Sequence, residues 1–306
     1  IMNFKNLRFY TVDLTDVIYT LKDDKKIEDA LEKTKFTECP KDQLYSVGFV
    51  EFFEGYVSKH ISSGQNHFIK VREEEKLIPS SVIKTALKKA VAAKEAELSR
   101  YLKKEEKAAL KAAISNRLLS QAFTTYKELI IWVNTDLNIV GVGTTSAKKA
   151  EMAIALLRDA LTTFPAKILA PMSSPEDVMT NWLKDTSSIP VGFQLGNDAT
   201  LKSVDEDGET IKAIKADLTS DEIAVHLDGL KQVKEISLVY DDAVNIKLTS
   251  DLVIKSFKPT DTYLEKNLPE KTKDEKADEE SMLFLQTELL TEICSHLLKI
   301  FKCQTE

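Results

Sequence analysis

The chain has 306 residues, a net charge of -7, 43% hydrophobic and 30% charged residues, and only 9 Gly and 8 Pro. This balance excludes wholesale disorder, collagen-like repeats and low-complexity sequence, and the length suits roughly two domains of about 150 residues. Cys39, Cys294 and Cys303 are too few and too scattered for a disulfide framework and point to a reducing compartment; no stretch reaches about 18 uncharged apolar residues, so no membrane span is expected.

Ile1 precedes Met2, the expected native start, and no apolar signal-peptide core follows. A cytoplasmic protein is expected. Residues 3–12 carry three aromatics in loose alternation and read as a strand. Residues 24–35 read as a short charged helix. Leu44–Phe53 and His67–Val71 read as strands, separated by turns at Gly55 and Ser62-Ser63-Gly64. Ser80–Arg117 contains neither Gly nor Pro and is rich in Ala, Lys, Glu and Leu, so one long helix or a helical pair is expected. Glu128–Val142 reads as a hairpin turning at Asp136-Leu137-Asn138.

Ser146 opens a helix to about Thr162, with Ala150, Ile154, Leu157 and Leu161 on one face. Ser174-Pro175-Glu176-Asp177 is a helix start, and that helix carries Trp182. Short strands are expected at Phe193–Leu195 and Thr210–Ile214, around the acidic turn Asp205-Glu206-Asp207-Gly208. Thr219-Ser220-Asp221-Glu222 reads as a capping box for a helix ending near Gly229. Strands follow at Val233–Tyr240 and Ala243–Leu248, closed by Asp241-Asp242, and a third at Leu252–Phe257. Residues 265–280 are charged and nearly free of core residues, and read as a linker or mobile loop. Ser281–Cys303 reads as an amphipathic helix with Met282, Leu285, Leu289, Ile293, Leu297 and Ile300 in register. There is no internal repeat.

The most informative feature is local charge. Residues 82–117 hold ten Lys or Arg and four Glu, a local +6 in an acidic chain. On a continuous helix, Lys104, Lys107 and Lys111 fall within about 40° of Arg100 and Lys103 within about 60°, opposite Leu98, Leu102, Ala109 and Ala113. Lys84 and Lys88 form a smaller pair upstream. Such a face is either simply solvated or a phosphate-binding stripe giving salt-sensitive, sequence-independent contacts.

Gly141-Val142-Gly143-Thr144-Thr145-Ser146 lies between a strand and a helix but fails both phosphate-loop templates. It lacks the terminal Gly-Lys-Ser/Thr of a Walker loop, and Ser146 stands where a dinucleotide fingerprint needs its third Gly or Ala. A turn capped by Ser146 is the simpler reading. Lys148 and Lys149 follow it at a helix N-terminus, where the dipole disfavours cations, so contact with a polyanion is a candidate role. His60, His67, His226 and His296 read as isolated, without nucleophile or metal-ligand spacing, so no catalytic residue, metal or cofactor is expected. Phe123 is either helix-to-sheet packing or an exposed aromatic anchor in a subunit contact.

The segment Arg72–Lys84, REEEKLIPSSVIK, closely resembles the RdgC family of bacterial recombination-associated proteins. The resemblance continues in order through EAELSRYLKKEEKAALK, LLSQAF, SAKKAE, GFQL and DLTSDEI, over almost the whole chain. It implies an α+β fold: a horseshoe-shaped subunit with antiparallel sheets, a long helical tip and flanking helices, pairing into a ring-shaped homodimer. By this mapping, 1–75 with 118–170 form a central sheet region, 76–117 the tip, and 171–306 a base.

The implied function is non-enzymatic, sequence-independent DNA binding, duplex preferred, with single-stranded DNA a further substrate. The ring would encircle DNA at the nucleoid and limit access of a RecA-type recombinase. The candidate DNA-binding residues are Lys76, Lys84, Lys88, Arg100, Lys103, Lys104, Lys107, Lys111, Lys148, Lys149, Lys212 and Lys215, with Phe123 at a dimer interface. The family tends to read LLPRAF, where this chain has Ser120-Gln121, and Ala216 stands where a polar residue could reach DNA. A different class of function, a cytoplasmic scaffold whose basic tip binds acidic proteins, uses the same cations.

Overall fold

The computed structural model describes residues 4–205 and 207–305. Met2 and the Glu206 position of the acidic turn lie outside them. In chain order the first elements are β1 (Arg8–Val12), α1 (Ile18–Leu21), α2 (Asp24–Glu32), β2 (Tyr45–Val50), β3 (His60–Ser63) and β4 (Asn66–Leu77). Then come α3 (Ser80–Leu98), α4 (Lys104–Leu119), β5 (Phe123–Asn134), β6 (Ile139–Val142), α5 (Ala147–Leu161), β7 (Ala166–Ile168) and α6 (Pro175–Lys184). The last are β8 (Phe193–Ser203), β9 (Thr210–Ala213), α7 (Asp221–Asp228), β10 (Lys231–Tyr240), β11 (Val244–Thr249), β12 (Ile254–Pro259), α8 (Asp261–Asn267) and α9 (Glu275–Ile300). The class is α+β, with two antiparallel sheets. One runs β2-β4-β5-β6-β1-β7 with β3 pairing β4, and the other runs β12-β11-β10-β8-β9.

The chain divides into two compact units. The first comprises Ile1–Lys33, Glu51–Ile69 and Leu129–Glu306. Its apolar core is extensive, because both sheets present alternating Val, Ile, Leu and aromatic residues and α9 is apolar over much of its circumference. Trp132 is fully buried, edge-on to Phe9 with ring centroids 6.4 Å apart, and its Nε1 donates to Asn66 Oδ1 at 2.8 Å. Helix α6 starts at Ser174, whose Oγ accepts from Asp177 N at 3.2 Å with Pro175 following, and its Trp182 meets Phe301 at 6.1 Å.

Several expectations are corrected in this unit. Thr219 is not the N-cap of α7. Ser220 holds that position without a side-chain bond, while the Thr219 hydroxyl donates to Asp217 Oδ1 at 2.7 Å, so a nearby Asp captured the hydroxyl. The charged stretch 265–280 is largely helical: α8 runs through Asn267, and α9 already starts at Glu275, where the Asp274 carboxylate accepts from Ala277 N at 3.2 Å. The buried side of α9 includes Leu283, Leu290 and Cys294 beside Leu289, Ile293 and Leu297, broader than the expected stripe.

His60 and His67 are not isolated. They face each other across the β3–β4 pair, with Nε2 of His60 3.0 Å from Nδ1 of His67. Asp24 Oδ1 lies 3.9 Å from His60 Nδ1. One imidazole donates to the other across the His60–His67 contact, the direction following from which tautomer each ring takes. Burial is the main cause holding both imidazoles below their usual value, His60 at about 4.

The second unit comprises Thr34–Val50 and Lys70–Glu128. Its buried apolar residues are few: Phe49, Val50, Val71, Leu102, Ile114 and Leu119. Polar groups fill the remainder. Glu74 Oε2 accepts from Cys39 N at 2.6 Å, Tyr45 donates its hydroxyl to Glu73 Oε1 at 3.0 Å, and Lys76 Nζ donates to the Pro40 carbonyl. Gly48 is required by packing, since a Cβ there would sit 2.3 Å from the Phe36 backbone.

Candidate nucleic-acid interface

The sequence between 80 and 119 folds as two helices. Helix α3 ends where Ser99 turns left-handed with φ 51, and no residue of α3 is buried. Two glutamates supply the stop that Gly or Pro usually provides. Glu95 Oε1 accepts from Leu102 N at 2.9 Å. Glu106 Oε2 accepts from Lys103 N at 2.8 Å, and its carboxylate takes both terminal nitrogens of Arg100 at 2.7 and 2.9 Å. The bond from Arg100, then that from Lys103 N, hold the Glu106 carboxyl down at about 2.

The stripe drawn on one continuous helix is therefore replaced by a shorter one. Lys104, Lys107 and Lys111 share a face of α4, spaced three and four residues apart. Arg100 and Lys103 sit in the turn before it. Arg100 is paired with Glu106, and Lys107 Nζ lies 3.6 Å from Glu95 Oε1. Lys103, Lys104, Lys111, Lys84 and Lys88 are exposed and have no ion-pair partner among the described residues. Lys76 differs: it is 8% exposed, its ammonium is held by a carbonyl, and it is placed for structure rather than for solvent.

Sequence reasoning missed Lys89 and Arg117. They line one shallow groove between α3 and α4, with Ser81, Val82, Thr85, Ala86 and Ala90. They lie on different helices, so a wheel drawn through both helices as one could not bring them together.

The charge of the chain follows the division into units. The second unit carries sixteen basic and ten acidic residues, a net +6, which leaves -13 on the first. A bulk charge of -7 conceals this segregation. In the first unit, Lys148 and Lys149 open α5, where the Lys149 amide donates to Ser146 Oγ at 3.3 Å. Lys212 is exposed on β9, and Lys215 is exposed with φ 52, its amide donating to Asp198 Oδ1 at 2.9 Å. Ala216 is partly buried and packs against the apolar core.

The Gly-rich segment is a structural turn. A Cβ on Gly141 would lie 2.6 Å from Leu7 Cδ2, which explains that glycine by packing in β6. Amides that would cradle a phosphate are already engaged: Gly143 N with Ile130 O at 2.9 Å, Thr144 N with Val142 O at 2.7 Å, and Ser146 N with Thr144 Oγ1 at 3.1 Å. Among the described residues, no group of three His, Cys, Asp or Glu could hold a metal ion, and no helix is long and apolar enough to cross a membrane. Phe123 begins β5 and is 87% exposed, so it is not a core residue.

The family model described as "Putative exonuclease, RdgC" matches residues 2–304. A protein of Proteus mirabilis, "Recombination-associated protein RdgC", is 35% identical over 266 residues, 86% of each chain. Proteins of the same description from Salmonella paratyphi B and Salmonella typhimurium are 36% identical over the same shares.

Proposed function

The chain belongs to the RdgC family of recombination-associated proteins, and from that premise we propose that it binds DNA without reading sequence and restrains recombination by occupying DNA. The observation that carries this reading is the segregation of charge. A net +6 sits on the second unit, whose exposed Lys103, Lys104 and Lys111 have no ion-pair partner among the described residues. Exposed cations on helix surfaces contact phosphates, which are the same in every sequence, and release counterions on binding.

In the fuller form of the proposal, two copies form a ring around duplex DNA. The segment 76–117 acts as the tip, 1–75 with 118–170 as the central sheet region and 171–306 as the base. Phe123 contributes to a subunit contact, since a largely solvated Phe on a sheet strand suits a buried anchor in an assembly. Lys84, Lys88, Arg100, Lys107, Lys148, Lys149, Lys212 and Lys215 supply further phosphate contacts. The ring sits at the nucleoid and limits access of a RecA-type recombinase to DNA. The activity is stoichiometric, not enzymatic; the exonuclease wording belongs to the family description.

The test uses two labelled duplexes of unrelated sequence, incubated with the purified protein and Mg²⁺. The expected result is equal affinity for both, with the DNA intact. Degradation that co-purifies with the protein overturns the non-enzymatic reading. Binding to acidic proteins in place of DNA favours a scaffold instead.

A further inference from the structure

The turn between α3 and α4 holds an aromatic ring in solvent among cations. Tyr101 is 86% exposed, and among the described residues its hydroxyl has no hydrogen-bond partner and its ring no aromatic one. The backbone beneath it is tied down on both sides. Arg100 Nη1 donates to the Tyr101 carbonyl at 3.1 Å while bound to Glu106, Leu102 N is held by Glu95, and the Leu102 side chain is buried. The ring is thus displayed from a fixed platform, at little entropic cost to a binding partner. Exposed Lys103 and Lys104 follow directly; of the nearby acids, Glu95 and Glu106 are engaged with Lys107 and Arg100, while Glu105 is exposed in the first turn of α4.

We propose that Tyr101 is a base-stacking residue that takes the face of an unpaired base, with Lys103 and Lys104 on the adjoining phosphates. The inference rests on the DNA-binding reading above and adds to it a preference. A paired duplex offers its base edges in the grooves but keeps base faces stacked. A single strand or a frayed end offers the face itself, and aromatic stacking there is tolerant of sequence. The ring should therefore add to single-strand binding and little to duplex binding.

The experiment measures affinity for oligo(dT) and for a blunt-ended duplex in the parent, Tyr101→Phe and Tyr101→Ala proteins, with the dimer constant followed by sedimentation. Stacking predicts that Tyr101→Ala loses between about five- and about 150-fold for oligo(dT), with duplex affinity changed less than about twofold and Tyr101→Phe close to the parent. A 5-iododeoxyuridine oligonucleotide is expected to photo-crosslink at Tyr101. Tyr101→Ala binding oligo(dT) as tightly as the parent overturns the inference, as does a loss confined to the dimer constant. A parent protein that binds neither DNA overturns the DNA-binding reading itself.

Discussion

The two units divide the chain's physical tasks. The first holds both a large apolar core and a net charge of -13; the second has few buried apolar side chains and a net +6. Helix α9 buries eight of its residues, whereas α3, seven residues shorter, buries none. Like charges at three- and four-residue spacing cost an isolated helix some stability. A helix that both carries such charges and lacks a buried face is poorly explained by stability, and a ligand that neutralises it explains it better. The sparse core of the second unit, as much as its charge, supports the proposal that this region binds a polyanion.

The largest expected effect tests the core side of that contrast. Trp132→Ala should cost about 3–5 kcal/mol, because it opens a large cavity and leaves Asn66 without its indole donor. Val82→Ala, on half-exposed α3, should change stability by about 0.5 kcal/mol or less. Thermal melts of the two variants check this, and equal losses would erase the distinction between the units.

Acid should affect the first unit through its buried imidazole pair. Both histidines have folded values below their usual 6.5, His60 at about 4, so the unfolded chain binds more protons between those limits. This contribution is complete above about pH 6.5 and falls as pH drops towards 4, with a loss on the order of 3 kcal/mol. Denaturant titrations at several pH values should show that slope in the parent and not in a His60→Gln, His67→Gln double variant.

The next effect in size concerns Phe123. Its exposure predicts that Phe123→Ala leaves the melting temperature unchanged, and the proposed subunit contact predicts that it weakens dimerisation by about 2 kcal/mol. Sedimentation at several concentrations separates the two, and an unchanged dimer constant removes Phe123 from the interface.

Much of the fold is legible in the sequence because its signals are local. Ser146 and Ser174 cap the helices that their positions predict, and Asp241-Asp242 closes its hairpin with both residues left-handed. What is not legible depends on partners distant in sequence or unmarked by Gly and Pro. The break at Ser99 is held by Glu95 and Glu106, which read as ordinary helix-surface charges. The end of strand β3 reads as a turn because Gly64 follows Ser62-Ser63; its pairing with β4 is not marked locally. The cations are legible as a group, but their pairing is not: nothing in the spacing says that Arg100 is held by Glu106 while Lys104 has no ion-pair partner among the described residues.

On the proposed function, the second unit's exposed lysines that have no ion-pair partner among the described residues meet phosphates. The most direct measurement is the salt dependence of duplex affinity for the parent and for a Lys103→Ala, Lys104→Ala, Lys111→Ala variant. Affinity should fall linearly with salt on logarithmic axes, and the variant's slope should be shallower by up to about 2.7, at about 0.9 for each phosphate no longer neutralised. Its melting temperature should be nearly unchanged, because all three side chains are exposed, Ala favours helix at 104 and 111, and the Lys103 side chain makes no cap hydrogen bond. A variant that binds duplex as tightly as the parent, with the same slope, would show that these lysines are only a solvated face.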